Sequence, residues 1–342
     1  MLSLACSVVN KKVRANVKAC LDENRIGQGR FIKQFEDSVA AYVGAKYAIA
    51  VSNGSMADIV ALAALKYQHP EKTEVIVPAL TFIAHINSVI LNGLTPVFVD
   101  INADLQMNEY EVAEKVNSRT LAIFPVHLLG KKCNIDQLKK IAAVVNAYVI
   151  EDSCESFGTY NNTDFATYSF FPSHTITTGE GGMLVTNNKT HADWARKIMN
   201  HGRRSDIMSE KFHFDCLGFN GKMSNVLAAI GCGVMDNVPE IIFKRQKNVE
   251  LFNQLLNEHW FAESPHGYPV FYRDEEERDG VLRKLEANDI EARKIFSCIP
   301  TQEWKMGGGF YPIAESIGRR GLYVPVHQNL SENDIRKIAL FL

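Results

Sequence analysis

The first two thirds of the chain alternate short apolar runs with stretches that have helical spacing. Stretches such as SMADIVALAALKY and NIDQLKKIAAVVN place apolar residues at helical intervals. The apolar runs predict strands: YAIAV, EVIVPA, TPVFVDI, RTLAIFPV, AYVIEDS, ATYSFF and GGMLVTN. Because these runs are continuous, they are typical of strands buried on both faces. The pattern therefore predicts an α/β fold with a mostly parallel central sheet.

The pattern changes near Pro239. A long amphipathic helix, EIIFKRQKNVELFNQLLNEH, is followed by the strand-like GYPVFYRD, the helical EERDGVLRKLEAN and then IEARKIF. We therefore predict a large domain over residues 1–238. A smaller α+β domain, reached through the connecting helix, is predicted over residues 239–342.

Composition narrows the function classes. The 342 residues are 46% hydrophobic and 22% charged, with a net charge of -2 and no basic block, which argues against a nucleic-acid partner. The apolar runs are too short to span a bilayer, and MLSLACSVVNKKV lacks the features of a signal peptide, so no membrane is expected. The seven cysteines form no CxxC pair, which predicts no metal site and a reducing, cytoplasmic setting.

Parallel sheets bind ligands beyond the carboxyl ends of their strands, so we look for functional residues directly after each predicted strand. In VSNGSMA, Gly54 and Ser55 open a helix whose N–H groups would suit a phosphate, although Ser55 also suits a helix N-cap. Asp152 ends the run YVIED, where a carboxylate can hold a proton on a heterocyclic nitrogen, bind a metal or cap a loop. Phe82 follows EVIVPALT and would either stack on a planar cofactor or join the core. His127 also follows a predicted strand.

His174 lies in SFFPSHTITTGEGG, between the end of a strand and a glycine-rich turn. A lone histidine is usually structural. Here Gly179, Gly181 and Gly182 permit a close backbone approach. An imidazole in such a place can transfer protons near neutral pH, because its ordinary pKa is about 6.5.

Together these motifs resemble the sugar aminotransferase family of the DegT/DnrJ/EryC/StrS type, which are fold-type I pyridoxal-phosphate enzymes acting on nucleotide-linked keto sugars. The similar segments run in order along nearly the whole chain: RIGQGRFIKQFEDSVAAYVGAKYAIAVSNGS, VIVPALTFIAHINSVILNGLTPVFVDI, IEDSCESFG, SFFPSHTITTGEGGMLVTN, HGR, LGFNGKMSNVLAAIG and YVPVHQNLSENDI. The resemblance implies a large domain that binds pyridoxal 5'-phosphate (PLP) or its amine form, pyridoxamine 5'-phosphate (PMP).

The resemblance also implies a role for each candidate residue. Asp152 would keep the pyridine nitrogen protonated, Phe82 would lie against the ring, and Glu155 would approach the ring hydroxyl. Asn220 in GFN would reach the cofactor phosphate of a neighbouring subunit, which implies a homodimer with shared active sites. The remaining residues, which would hold the cofactor phosphate in the same subunit, are Gly54, Ser55 and Ser169.

His174 departs from the aminotransferases of the family, which carry at this position the lysine that bonds covalently to the cofactor. Imidazole has no primary amine, so it keeps acid–base chemistry and loses the covalent step. In this replacement the chain resembles the family's keto-sugar 3-dehydratase branch, of the GDP-4-keto-6-deoxymannose 3-dehydratase type, which also carries histidine at this position. That branch uses PMP in deoxysugar biosynthesis.

Further expectations follow from that branch. Only Cys216 lies between Cys154 and Cys232, where one form of these dehydratases binds an iron–sulfur cluster, so the cluster-free form with L-glutamate as amino donor is favoured. Sugar contacts are expected from the Arg293–Gln302 region and His327, and HGR is a weaker candidate for a phosphate or carboxylate contact. Two alternatives stay open: an aminotransferase whose lysine was replaced, naturally or by engineering, and a catalytically silent relative that binds the nucleotide sugar. The nucleotide and the hexose are not determined.

Overall fold

The structure, a computed structural model, describes residues 1–205, 207–302 and 308–342. Its larger sheet has seven strands in the order β1-β7-β6-β5-β4-β2-β3. These strands are β1 (Tyr47–Val51), β2 (Glu74–Pro78), β3 (Thr95–Val99), β4 (Thr120–Ile123), β5 (Tyr148–Asp152), β6 (Phe165–Ser169) and β7 (Gly182–Thr186). Strands β3, β2, β4, β5 and β6 are paired in parallel, whereas β7 is antiparallel to both of its neighbours. The predicted mostly parallel α/β sheet is confirmed.

Helices cover both faces of this sheet, which explains the continuous apolar runs of its strands. On β1, Ile49 and Val51 join one core cluster, whereas Ala48 and Ala50 join the cluster on the opposite face. The helices of this part are α1 (Lys11–Asp22), α2 (Arg30–Val43), α3 (Gly54–Gln68), α4 (Ile83–Leu91), α5 (Glu109–Lys115), α6 (Ile135–Val144), α7 (Lys189–Ile198) and α8 (Asn225–Val234).

A second sheet of three strands, in the order β8-β10-β9, lies in the C-terminal part and is antiparallel throughout. Helix α9 (Val238–Leu256) leads into it, as the amphipathic pattern after Pro239 predicts. The other elements are β8 (Gly267–Phe271), α10 (Glu275–Ala287), β9 (Arg293–Lys294), α11 (Pro312–Arg320), β10 (Gly321–Pro325) and α12 (Glu332–Ala339). The division into domains 1–238 and 239–342 stays a prediction. The N-terminal Leu2 pairs with Ile290 of the C-terminal part.

One helical stretch, Asn225–Leu256, is long and apolar enough to cross a membrane by length and composition alone. Its most apolar part is half buried within the molecule. A buried core helix passes the same test, so the stretch is weak evidence. The expected absence of a membrane partner and the cytoplasmic location stay predictions.

Candidate active site

A cavity of about 430 Å³ opens where the strands of the larger sheet end, and the second sheet closes it from the other side. The sequence-predicted residues that line it are Gly54, Ser55, Phe82, Asp152, Glu155, Ser169 and His174. Arg293, Tyr323 and His266 line it from the C-terminal part of the chain. Most of the residues that the parallel-sheet rule singled out therefore lie around one cavity, and their roles stay predictions.

The N-terminus of α3 forms a close-packed cradle at one end of the cavity. Asn53, and not Ser55, caps the helix, because its Oδ1 accepts a hydrogen bond from the Met56 N–H at 2.8 Å. Ser55 is thus not needed for capping. A Cβ on Gly54 would lie 2.8 Å from Ser169 Cβ, and one on Gly182 would lie 2.2 Å from the Asn53 carbonyl oxygen. The cradle offers helix N–H groups and two hydroxyls, a combination that suits a phosphate.

Asp152 ends β5 with its carboxylate in the cavity wall and 8% of its surface exposed. Its Oδ1 accepts from the Cys154 N–H at 3.0 Å, and its Oδ2 lies 3.2 Å from His85 Nδ1. Burial alone would raise the pKa of Asp152, but the hydrogen bonds from His85 and Cys154 outweigh it and lower that pKa. An ionised carboxylate therefore faces the cavity and is able to accept a further N–H.

His174 lies half-buried in the turn after β6, and its backbone N–H donates to the Phe171 carbonyl at 3.0 Å. Its buried Nδ1 has no hydrogen-bond partner among the described residues. Burial, opposed by Asp152 and assisted by the charges of Arg245 and Arg293, lowers the pKa of His174 to about 4. The imidazole is therefore neutral at pH 7 and able to accept a proton.

A second histidine, His266, lies opposite the first, with the ring centroids 5.1 Å apart. Burial and the neighbouring His174 lower the pKa of His266 well below its usual value. Its Nε2 lies 3.6 Å from Glu155 Oε1. Burial raises the pKa of Glu155 to about 7, against the hydrogen bond that its carboxylate accepts from the Leu129 N–H at 2.7 Å. Near neutral pH, Glu155 is thus partly protonated and able to donate a hydrogen bond.

A buried guanidinium connects the loops that carry the two histidines. Arg245, on α9, is 1% exposed and donates to the Pro265 carbonyl at 3.0 Å, the His266 carbonyl at 3.4 Å and the His174 carbonyl at 3.3 Å. Its charge also disfavours protonation of both imidazoles. Helix α9 therefore holds the two sides of the cavity together.

Comparison with known proteins assigns the family. The DegT/DnrJ/EryC1/StrS aminotransferase family matches residues 8–342. This chain belongs to that family. It is 36% identical to GDP-perosamine synthase of Escherichia coli O157:H7, over 95% of this chain and 93% of the relative.

Members with a different activity are also similar. GDP-4-keto-6-deoxy-D-mannose 3-dehydratase of Yersinia pseudotuberculosis is 30% identical, over 96% of this chain and 95% of the relative. The crystal structure of a GDP-4-keto-6-deoxymannose 3-dehydratase with a trapped PLP-glutamate geminal diamine has a TM-score of 0.91 and 27% identity, and each chain is covered over 100% of its length. The fold is thus that of fold-type I aminotransferases, and the chain is a PLP-dependent, aminotransferase-like enzyme of sugar metabolism.

The residues of this family member fit the cofactor. The Gly54–Ser55 cradle with Ser169 suits the phosphate, and Asp152 suits the ring nitrogen. Phe82 is 57% exposed and tilted against Phe296 at 5.6 Å, so it is not a core residue and its ring faces the cavity. The buried Thr81 Oγ1 at the same wall has no partner among the described residues, as expected of a site built for a polar ligand.

Several predicted residues lie elsewhere. Asn220 is exposed and does not line this cavity, and its role toward a neighbouring subunit stays a prediction. His201 and Arg203 of HGR do not line the cavity either, and neither does His327. His127 is fully buried with Nε2 3.0 Å from Glu151, so the strand-end rule placed it wrongly among the ligand-binding candidates.

Cavity residues that escaped the sequence analysis include His85, Asp58 and His266. His85 and Asp58 lie on helices that follow strands, and each is a polar residue within an otherwise apolar helix face, a signal that was available. His266 precedes β8 in the other sheet, and only the three-dimensional structure brings it to His174.

Proposed function

We propose that this enzyme is a PMP-dependent 3-dehydratase of a GDP-linked 4-keto-6-deoxy sugar, with GDP-4-keto-6-deoxy-D-mannose as the first substrate to test. The names of the similar proteins support a GDP-linked substrate, since the names of both the perosamine synthase and the dehydratase contain a GDP-linked sugar. The dehydratase name supports the reaction.

His174 carries this proposal. It stands at the position that the family resemblance assigns to the covalent lysine, and no lysine is among the described residues that line the cavity. An imidazole supports proton transfer but not covalent attachment to the cofactor. Elimination of a hydroxyl needs the first function and not the second.

The protein's residues divide the work as follows. When bound, the amine cofactor supplies a primary amine for the sugar ketone and an electron sink for the elimination. Asp152 holds the proton on the ring nitrogen. His174, neutral at pH 7, accepts the proton from the carbon next to that amine and returns it to the departing C3 hydroxyl, which leaves as water. Glu155 donates a hydrogen bond toward the ring hydroxyl.

L-Glutamate is the proposed amino donor that regenerates the amine cofactor. The dehydratase structure with trapped PLP and glutamate supports this donor, because its overall fold is shared. Arg293 lines the cavity and offers a cation for a carboxylate, although it also donates to Glu291 at 2.8 Å. The seven cysteines are free thiols in the structure and include no pair with CxxC spacing.

A second candidate function is amino transfer to C4 of the same class of sugar. The observation that favours it is the 36% identity to a GDP-perosamine synthase, against 30% for the Yersinia dehydratase. The catalytically silent relative is the third alternative. The ionised Asp152 and the intact phosphate cradle argue against such a loss of function.

The products distinguish these functions. We expect protein incubated with PLP, L-glutamate and GDP-4-keto-6-deoxy-D-mannose to release ammonia and give a 3-deoxy keto sugar. Mass spectrometry identifies the sugar product. A 4-amino sugar without ammonia would establish the aminotransferase instead. Absence of any product, with no change in the cofactor absorption on adding glutamate, would indicate the silent relative.

Replacing the base tests its role. We expect His174→Lys to bond to PLP, visible after borohydride reduction as a cofactor-labelled peptide, and to lose most of the dehydration. His174→Asn should lower dehydration on the order of a hundredfold or more without forming that bond, because it removes only the proton transfer. If His174→Lys dehydrates as fast as the parent enzyme, His174 does not carry the reaction.

We also propose a homodimer in which Asn220 of each chain contacts the cofactor phosphate of the other. Asn220 is exposed on a segment whose neighbours include the exposed apolar residues Phe214 and Leu217. An exposed apolar surface of this kind suits a subunit contact.

A further inference from the structure

Asp58 is a buried carboxyl group in the wall of the cavity. It lies on α3, one turn after the phosphate cradle, and is 3% exposed. Its carboxyl group, Asp152 and His85 bring three ligand-type atoms within 4.8 Å of one another. Two carboxyl groups this close and this buried do not both ionise readily, because like charges repel strongly in a medium of low polarity.

The contacts of Thr167 accommodate a proton on Asp58. Thr167 Oγ1 lies 2.7 Å from Asp58 Oδ1 and 3.4 Å from the Glu151 carbonyl oxygen. A threonine hydroxyl has one hydrogen, so it cannot donate to both acceptors. A protonated Asp58 can donate its own O–H to Thr167, which leaves the threonine hydrogen for the Glu151 carbonyl.

The surrounding donors favour the negative charge on Asp152. Its Oδ1 accepts from the Cys154 N–H, and its Oδ2 lies 3.2 Å from His85 Nδ1. His85 Nε2 lies 3.1 Å from the Phe124 carbonyl, so both ring nitrogens face acceptors and His85 donates to both when each nitrogen carries a hydrogen. Burial and the charge of Asp152 raise the pKa of Asp58 well above its usual value, against the hydrogen bond with Thr167.

We propose that Asp58 is a positioning residue that stays protonated and bridges to Thr167, so that Asp152 is the single negative charge facing the cofactor ring. The proposal rests on the assigned role of Asp152 toward the ring nitrogen and not on the sugar reaction. A metal ion held by Asp58, His85 and Asp152 is the competing interpretation, since it would require both carboxyl groups to be ionised.

The first test compares the stability of the wild-type apoprotein and Asp58→Asn across pH. Asn is isosteric and neutral, and its amide can donate to Thr167. A raised pKa in the folded state means that unfolding releases a proton, so the wild type loses stability relative to Asp58→Asn as pH rises above about 4. The ratio of their unfolding equilibrium constants should rise by up to about tenfold per pH unit between about pH 5 and pH 8. A ratio that stays constant over this range would show that Asp58 is ionised in the folded protein.

The second test observes the proton directly, and its deciding spectrum comes from a protein that keeps Asp58. Infrared spectra of the apoprotein at about pH 7, in the Glu155→Gln background, should contain a carboxylic-acid C=O band, because other carboxyl groups are ionised there. Asp58→Asn should remove the band and Asp152→Asn should not. A spectrum of Glu155→Gln without such a band would overturn the proposal.

The third test measures cofactor binding. PLP affinity should change less than about threefold in Asp58→Asn and fall at least about tenfold in Asp152→Asn, because only the latter loses the charge under the ring. Equal losses would show that Asp58 acts as a second anion. Retention of stoichiometric zinc by the wild-type apoprotein, lost in Asp58→Asn, would establish the metal site instead. None of these readings depends on whether the sugar is dehydrated or aminated.

Discussion

His174 combines two properties that a general base requires. Its pKa is lowered to about 4 by burial and by two guanidinium groups, so the imidazole is unprotonated throughout the neutral range. Its buried Nδ1 has no partner among the described residues, so no hydrogen bond competes for it. The cavity thus presents a neutral base, and a bound substrate would meet it in the form that accepts a proton.

The lowered pKa makes the stability of the apoprotein depend on pH. The unfolded chain binds a proton at His174 below about pH 6.5, whereas the folded chain resists until about pH 4. We expect the free energy of unfolding to fall by roughly 1 to 3 kcal/mol as pH drops through this window. The free energy of unfolding, measured with urea at each pH, should change less with pH in His174→Asn than in the wild type over this window. Parallel curves for the two proteins would contradict the low pKa.

Gly54 is the second residue on which the site depends, because its missing side chain makes room for Ser169. We expect Gly54→Ala to lower PLP affinity at least about tenfold, since its Cβ would lie 2.8 Å from Ser169 Cβ. Gly280→Ala, in α10, is the matched control: nothing lies within 4 Å of its Cβ position. That control should keep PLP binding and gain about 0.5–1 kcal/mol of stability. Equal affinities in the two variants, by fluorescence titration, would remove Gly54 from the cradle.

At the scale of elements, helix α9 fixes the geometry of the cavity through a single side chain. We expect Arg245→Met to lower the free energy of unfolding by about 2–4 kcal/mol, because two buried carbonyl groups and a partly buried one lose their donor. Arg245→Lys keeps the charge but cannot reach all three carbonyls, so its loss should be smaller. A loss below about 1 kcal/mol for the methionine variant, measured in urea, would mean that water replaces the guanidinium without difficulty.

Elements were predictable from sequence where the pattern was local. The seven apolar runs coincide with β1 to β7, because helices on both faces require apolar residues at every position of a strand. Cap and partner choices were less predictable: Asn53 took the capping role that Ser55 also suited, and His127 turned inward to Glu151.

The site was predictable where one strand end supplies the residue, as for Asp152 and Ser169. It was not predictable where two distant segments meet. His266 comes from the loop before β8, and its approach to His174 depends on how α9 places the second sheet. The protonation of Asp58 and Glu155 depends on burial, which a pattern of residue types does not reveal.

At the scale of the whole molecule, the proposed dimer would make each site from two chains. Asn220 of one protomer and His174 of the other would then act in the same site, and the two could be separated genetically. Symmetric dimers with reciprocal contacts are the commonest oligomers of soluble proteins.

Complementation tests this arrangement. Asn220→Ala and His174→Asn should each be weakly active alone. Co-expression should give mixed dimers that restore up to about half of wild-type turnover once purified, because each mixed dimer holds one intact site of its two. The measurement is turnover of dimers purified with two different tags, and double-mutant chains serve as the control. No restoration in confirmed mixed dimers would place Asn220 outside the partner's site.

The backbone at position 174 is held from outside its own side chain, by the Phe171 carbonyl on one side and by Arg245 on the other. The loop therefore keeps its shape whichever side chain grows from it. In evolutionary terms, an ancestor of this scaffold could exchange one catalytic group for another by replacing a single residue, with the architecture intact. Lyases and transferases that diverge in this way would keep nearly superimposable structures, and fold similarity would date their common descent better than it would report their reactions.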